Sequence, residues 1–325
     1  EEFGLTDTQF GLLGGLAFAS VYSTLAIPLA WVADRKSRVW IMTGALAVWS
    51  GFTALCGVAQ NFTQLFLARM GVGVGEAGGV APAYSLIADY FPPHQRARAL
   101  SVFAFGIPTG MAAGTLVGGL LAVAYDWRVS FIVVGLVGLV VAPLLRLTVR
   151  DPQRGATDIK RAASEAVDQL ADAVKPGSAG RIAAAIMALA AVVGIGLFVV
   201  QGVTSGDWTR GQVWGFGGLL ALVIAVSLWI ARTTAGVVMP KPSFWLLALG
   251  AASSSVCGYG VAGWLPSFFM RSFELSLAQV SWYYAGIALI GGLIGIWMGG
   301  AIADRLGKRG KGAYPLVPAI AFLIS

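Results

Sequence analysis

The chain has 325 residues, 57% of them hydrophobic and only 11% charged, and a mean hydropathy of +0.79. Soluble domains carry about 25% charged residues, so this is the composition of a membrane protein. Two cysteines, Cys56 and Cys257, and one histidine, His94, argue against a disulfide framework and a metal site, and the +7 net charge is explained below by where the charges fall.

The chain opens on a polar loop, "EEFGLTDTQ". Apolar runs that meet or approach the roughly 20 residues needed to span a bilayer follow at 9–33, 39–59, 63–88, 99–124, 129–149, 182–203, 212–231, 244–270 and 278–303. Another begins at Tyr314. Lipid leaves open strand edges unsatisfied, so these spans are expected to be helices. The short alternating segments of a barrel are absent.

The loops between spans alternate in charge. Arg35, Lys36, Arg38, Arg96, Arg98, Arg146, Arg150, Arg154, Lys160, Arg161, Lys175, Arg181, Arg232, Lys241, Arg305, Lys308, Arg309 and Lys311 fall on one side. Arg128, Arg210 and Arg271 fall on the other, and Arg69 lies inside a span. The positive-inside rule makes the first side cytoplasmic, so the basic excess reports topology and argues against nucleic-acid binding. The polar stretch 151–181 then reads as a cytoplasmic linker. Within it Ile159, Ala163, Ala166, Val167, Leu170 and Val174 recur at helical spacing, which predicts an amphipathic helix.

An internal repeat gives the architecture. "FGLTDTQ" (3–9) resembles "FELSLAQ" (273–279), and "ADRKSR" (33–38) resembles "ADRLGK" (303–308). The offsets agree, since 279 − 9 = 270 and 304 − 34 = 270. Parallel repeats of this kind characterise one large class of secondary transporters. The repeat predicts an incomplete chain, with a helix missing before Glu1 and others after Ser325. Spans 182–203 and 212–231 have no counterpart and read as an inserted hairpin.

"AWVADRKSR" (30–38) and "GAIADRLGKR" (300–309) resemble the signature loop of the major facilitator superfamily, with Ala30 and Ser37 where glycine is usual. More narrowly, "RMGVGVGEA" with "IADYF" and "ALSVFAFGIPTGMAAGTLVGG", within 69–119, is similar to the Spinster-like branch. The resemblance implies an all-α integral membrane protein with two pseudo-symmetric bundles that rock about a central cavity. Residues 1–150 would supply helices two to six of the first bundle, and 182–232 the extra hairpin, which resembles that of proton-coupled peptide transporters. Residues 243–325 would begin the second bundle with helices seven, eight and part of nine. It implies a monomeric secondary transporter in contact with membrane lipids, in the plasma (inner) membrane if bacterial. The substrate implied is an amphiphile such as a lysophospholipid or sphingoid phosphate. A drug, sugar or organic-anion transporter of the same superfamily is the alternative. Outside that class stand a receptor and a lipid-modifying enzyme, for which no catalytic residue or cofactor site is visible.

Within the spans, Arg69 and Glu76 are the only well-embedded charges. Seven residues at 3.6 per turn put them on one helix face, about 10.5 Å apart along the axis, too far for a direct pair. An intramembrane charge costs at least about 2.5–3.5 kcal/mol, so each needs a partner. Glu76, an acid held out of water, suits a reversible proton site. Arg69 suits an anionic headgroup or a carboxylate, and fixed interhelical pairing is the structural alternative for both. The surrounding Gly73, Gly75 and Gly78 match the dinucleotide pattern G-x-G-x-x-G. That motif needs a preceding strand and a helix N-terminus, whereas these glycines lie inside a span.

Asp34, Arg35, Arg38, Asp89, Arg98, Asp304, Arg305 and Arg309 sit at cytoplasmic helix ends. In the resembled family such charges form a gate, and partly exposed ion pairs are weak enough to break and reform. Gly106, Gly110, Gly114 and Gly118 recur every four residues and predict a tightly packed helix face. Tyr259 and Trp264, in a Pro-interrupted span, and Tyr283 and Tyr284 are candidate cavity-lining residues; Trp264 alternatively seals the outer end or anchors at the interface.

Overall fold

The computed structural model describes residues 2–155, 218, 221, 225 and 263–307. Among the described residues there is no strand. The first helix runs through α1 (Asp7–Gly11), a π-helical turn (Leu12–Leu16) and α2 (Ala17–Ala33). It is followed by α3 (Arg38–Cys56), α4 (Phe62–Glu76), α5 (Val80–Tyr90), α6 (Pro93–Ala104), α7 (Gly106–Ala124) and α8 (Trp127–Thr148). The last described helix is α9 (Leu277–Gly307), preceded by a helical stretch at 263–273. Arg38–Cys56, Pro93–Ala124, Trp127–Thr148 and Leu277–Ile302 are long and apolar enough to cross a membrane. The linker helix, nearly all of the hairpin 182–232, and Tyr259 and Arg309 lie outside the described residues.

Helix ends follow from local chemistry. Thr6 and Gln9 form a reciprocal capping box, in which each backbone N–H is accepted by the other's side chain at 2.9 and 3.3 Å. Ser276 and Gln279 repeat it at 2.9 and 3.3 Å, 270 positions on (276 − 6 = 270). Gly4 and Glu274 correspond by the same offset, and both adopt positive φ, +57° and 53°. Glu274 is the one non-glycine described with that conformation. The sequence repeat is therefore a repeat of backbone geometry and of helix caps.

Two expected spans are broken. The run 63–88 divides at Ala77–Gly79, where the N–H groups of Gly78 and Gly79 turn back to the carbonyls of Gly75 and Glu76. The run that ends at 124 starts earlier than predicted, at Pro93, and divides at Phe105. Both breaks lie three to five residues before a proline, Pro82 and Pro108. A proline ring clashes with the carbonyl four residues back and supplies no N–H to it, which loosens the helix there. Glu76 consequently sits at the C-terminal end of α4 instead of inside a continuous helix.

Helix α3 is the hub. Gly71, Gly75 and Gly78 on α4 and the turn after it face Phe52, Trp49 and Ala45, so closely that a Cβ at any of the three would overlap them. Gly73 faces the Phe18 carbonyl of α2, which a Cβ would meet at 2.8 Å. On the other side of α3, Gly135 and Gly138 of α8 abut Ala54 and Ser50. Fully buried Cys56, with Ala68 and Val72, fills the space between and is enclosed by Phe18, Phe52, Leu65 and Phe131. Outward-facing positions are apolar instead, as at Val102, Ile107, Val140 and Leu147, which suits a lipid-facing surface.

The expected glycine face of α7 meets no neighbour among the described residues. Among the described residues nothing lies within 4 Å of a Cβ placed at Gly106, Gly110, Gly114 or Gly118. The close approach to α9 uses a different face, where Gly119 meets Ser281 and Pro108 meets Gly292. Residue 119 lies about 100° round the helix from residue 118.

Gly75→Ala is expected to destabilise the purified protein by about 1–3 kcal/mol, because its Cβ would strike the Trp49 backbone. Gly114→Ala should be near neutral by comparison. Thermal unfolding in detergent, followed by loss of the monodisperse peak, checks the pair.

Candidate functional site

Arg69 and Glu76 lie on α4, both half-buried. Among the described residues no hydrogen bond or ion pair is made by either side chain, so neither is fixed in a structural pair there. The Arg69 guanidinium stands 6.0 Å from the Phe18 ring, the outer limit of a cation–π contact. It lines a cavity of about 450 Å³ whose walls include Phe10, Leu13, Leu65 and Phe131. The acid that also lines it, Glu2, is paired with Arg128, and a largely apolar chamber with the Arg69 cation in its wall can accept an anionic group that carries a hydrocarbon chain.

Of the aromatic candidates, Trp264 packs edge-on against Phe10 at 5.5 Å, and its ring covers Gly11. Tyr284 is buried in the helix seam, whereas Tyr283 points outward and is 59% exposed.

The basic end carries a network that the sequence reading only half anticipates. Arg38, the first residue of α3, is 1% exposed. Its guanidinium pairs with Asp89 at the end of α5 and with Asp151 at 2.9 Å. It also donates to the Ser85 hydroxyl at 2.9 Å and the Pro152 carbonyl at 2.8 Å. The backbone N–H of Arg38 donates to Asp151 at 2.7 Å, and that of Gly155 donates to Asp89 at 2.9 Å. A buried guanidinium is tolerated only when its donors are met in this way. Asp89 thus belongs to Arg38; Arg98, exposed on α6, has no described partner. Asp34 lies 4.0 Å from Arg154, whose guanidinium also caps the end of α2 through the Ala33 carbonyl at 2.6 Å. Arg35 folds back over Trp31 at 3.9 Å. All these partners belong to residues 1–155; Arg305 is exposed, and nothing is described of the Asp304 side chain.

Asp151 and Arg154 are not among the site residues that the sequence singles out, because they open the polar stretch read as a linker. The signal was there: "RDPQR" at 150–154 follows a span directly, with an acid among bases. Desolvation is the largest single influence on the Asp151 carboxyl and pushes it up. Hydrogen bonds from Ser37 and Arg38 and the Arg38 charge outweigh it and hold Asp151 below the ordinary aspartate value.

At the opposite end Arg128 pairs with Glu2, and Arg271 holds Asp7 with two contacts at 2.8 and 3.2 Å. Both carboxyls lie below their ordinary range because of these hydrogen bonds.

Comparison with known proteins identifies relatives. The model of the Major Facilitator Superfamily matches residues 1–181. An MFS-type efflux pump of Mycolicibacterium smegmatis is 30% identical over 305 residues, 94% of this chain and 56% of the pump. Human Protein spinster homolog 1 is 38% identical over 161 residues, 48% of this chain and 30% of that protein. Among solved structures, a bacterial homologue of the human lysosomal transporter Spinster, inward-facing and occupied, matches with a TM-score of 0.59 at 28% identity. The match covers 94% of this chain and 56% of that one. The unoccupied inward-facing form gives 0.61 at 29% identity. The chain is homologous to Spinster proteins and spans about half the length of the curated relatives that it matches over nearly its whole length.

Arg38→Ala is expected to cost about 3–5 kcal/mol, because it leaves Asp89 and Asp151 uncompensated. A carboxyl depressed on folding contributes stability above its unfolded pKa, and loses it as pH falls through the folded value. Acid below about pH 4 should therefore lower the melting temperature of the parent protein. Asp151→Asn should remove part of that fall, measured by unfolding between neutral pH and pH 3.

Proposed function

The chain belongs to the major facilitator superfamily, and from that premise we propose that it is a proton-coupled secondary transporter of single-chain anionic amphiphiles. Transport proceeds by alternating access, with the basic end cytoplasmic. Arg69 receives the anionic headgroup and Glu76 carries the proton. The observation that carries this reading is the placement of Arg69: a half-buried cation with no described hydrogen bond or ion pair, in a mainly apolar cavity whose lining acid, Glu2, is held by Arg128. An intramembrane charge left open in this way is costly, and a ligand that brings the opposite charge offsets the cost. Similarity to Spinster proteins supports a lysophospholipid or sphingoid phosphate as the amphiphile. The break after Glu76 supports its role, because a helix interrupted at an acid can change that acid's surroundings without unfolding a continuous span.

A second reading, export of an apolar drug-like compound, is favoured by the 305-residue match to the efflux pump. The two readings differ at Arg69, since an uncharged or cationic cargo has no use for a guanidinium in the chamber wall.

In vesicles containing the reconstituted protein and an imposed proton gradient, Arg69→Ala should reduce lysophospholipid movement about tenfold or more, as expected when a charge-assisted contact of about 1.5–3 kcal/mol is lost. Glu76→Gln should abolish the response to the gradient while exchange between equal pools survives. Full gradient-driven transport by Glu76→Gln would sink the coupling role. Undiminished dye export by Arg69→Ala alongside no lysophospholipid movement in the parent would favour the efflux reading.

A further inference from the structure

The two halves of the repeat meet at the end opposite the basic loops, and the contact there has the properties of a gate. Asp7, in the first turn of α1, takes two hydrogen bonds from Arg271, at the end of the helical stretch 263–273. One turn inward from Asp7, Phe10 meets Trp264 edge-on at 5.5 Å, and a Cβ on Gly11 would touch the same indole at 3.4 Å. An ion pair on the water side is thus backed by an aromatic plug on the membrane side. Both members of the pair are largely exposed, 63% and 65%. Solvent-exposed pairs are weak and reversible, which a closure that must reopen each cycle requires. Phe10 also lines the cavity that reaches Arg69, so the plug and the chamber share a wall.

The repeat sharpens the point. Position 7 corresponds to Leu277 (277 − 7 = 270), and Arg271 corresponds to Glu1 (271 − 1 = 270). The capping boxes and positive-φ residues are shared by both copies, so the fold is built without this pair. Asp7 and Arg271 each complement a helix dipole, yet neither needs the other for that. Their bidentate contact joins the copies and serves something else.

We propose that Asp7 and Arg271, with Phe10 and Trp264 behind them, form the outer gate of the transport cycle, closed in this conformation and parted when the chamber opens outward. This rests on the transport reading above, and its test does not depend on knowing the cargo.

Gly15, about one turn inside Gly11, has open space where a Cβ would stand and serves as a reporter site. In intact cells, Gly15→Cys would be labelled from outside with a membrane-impermeant maleimide, the parent chain with its native cysteines setting the background. Asp7→Asn and Trp264→Ala should each raise the initial labelling rate about fivefold or more, the lower end of ordinary site coupling. The exchange Asp7→Arg with Arg271→Asp should bring it back towards the parent rate, and size-exclusion profiles would show that each variant is folded. Unchanged labelling in both single variants would overturn the gate, as would labelling in Gly15→Cys that is already at the rate of an exposed cysteine. Lysophospholipid uptake measured on the same variants separates the readings. A gate that responds in a protein that moves no lysophospholipid leaves the gate standing and removes the substrate assignment.

Discussion

Close backbone approach to α3 is the constraint on which the described structure depends. Lipid tails are as apolar as leucine, so helices gain little from burying hydrophobic faces against one another. What holds them is contact at short range, and glycine is the residue that permits it. Gly71, Gly75 and Gly78 give α3 one such face, matched to Phe52, Trp49 and Ala45 at the same i, i+4, i+7 spacing. Gly135 and Gly138 give it another. With α3 clamped on both sides, the position of its first residue is fixed as well. That residue is Arg38, and its guanidinium collects Ser85 and Asp89 from α5 and Asp151 and Pro152 from the segment after α8. Packing within the spans and charge pairing at the basic end are two consequences of one helix placement.

The same packing explains where the bundle can move. Prolines at 82 and 108 lie just beyond breaks in helices that are otherwise held tightly, one break after Glu76 and one before a contact between the copies. The first follows Glu76, the only acid well inside a described span. The second precedes the Pro108–Gly292 approach, where the two copies of the repeat touch. A rigid helix would transmit a shift at one end to the other. An interrupted one allows the segments on either side of the break to tilt separately.

Much of this was legible in the residues. Helical spans follow from apolar run length, topology from the bias of lysine and arginine, and the two-copy architecture from "FGLTDTQ" and "FELSLAQ". The structure shows why those heptapeptides match: their threonine or serine and glutamine are the two halves of a capping box. Other features were out of reach for physical reasons. Glycine spacing identifies a helix that can pack closely but not which neighbour it meets: among the described residues Gly119 carries the contact with α9, and nothing approaches the stripe from Gly106 to Gly118. Acids and bases at helix ends can be counted from sequence, but their pairing depends on three-dimensional neighbours. Asp89 and Arg98 flank one loop in the sequence, whereas Asp89 binds Arg38, fifty-one residues back.

The repeat itself offers a way to separate what the fold requires from what the function requires. Features present in both copies, such as the capping boxes and the positive-φ turns at Gly4 and Glu274, are the minimum needed to start each helix correctly. Features present in one copy only are free of that duty. Arg69 and Glu76 lie in a span whose glycines already secure its packing without them. Asp7 and Arg271 break the correspondence where they pair between the copies, with both side chains largely exposed. Two-fold symmetry is the cheapest way to build a pair of bundles, and a transport cycle needs the bundles to differ. The pairing of Asp7 with Arg271 is one described point at which the two copies differ.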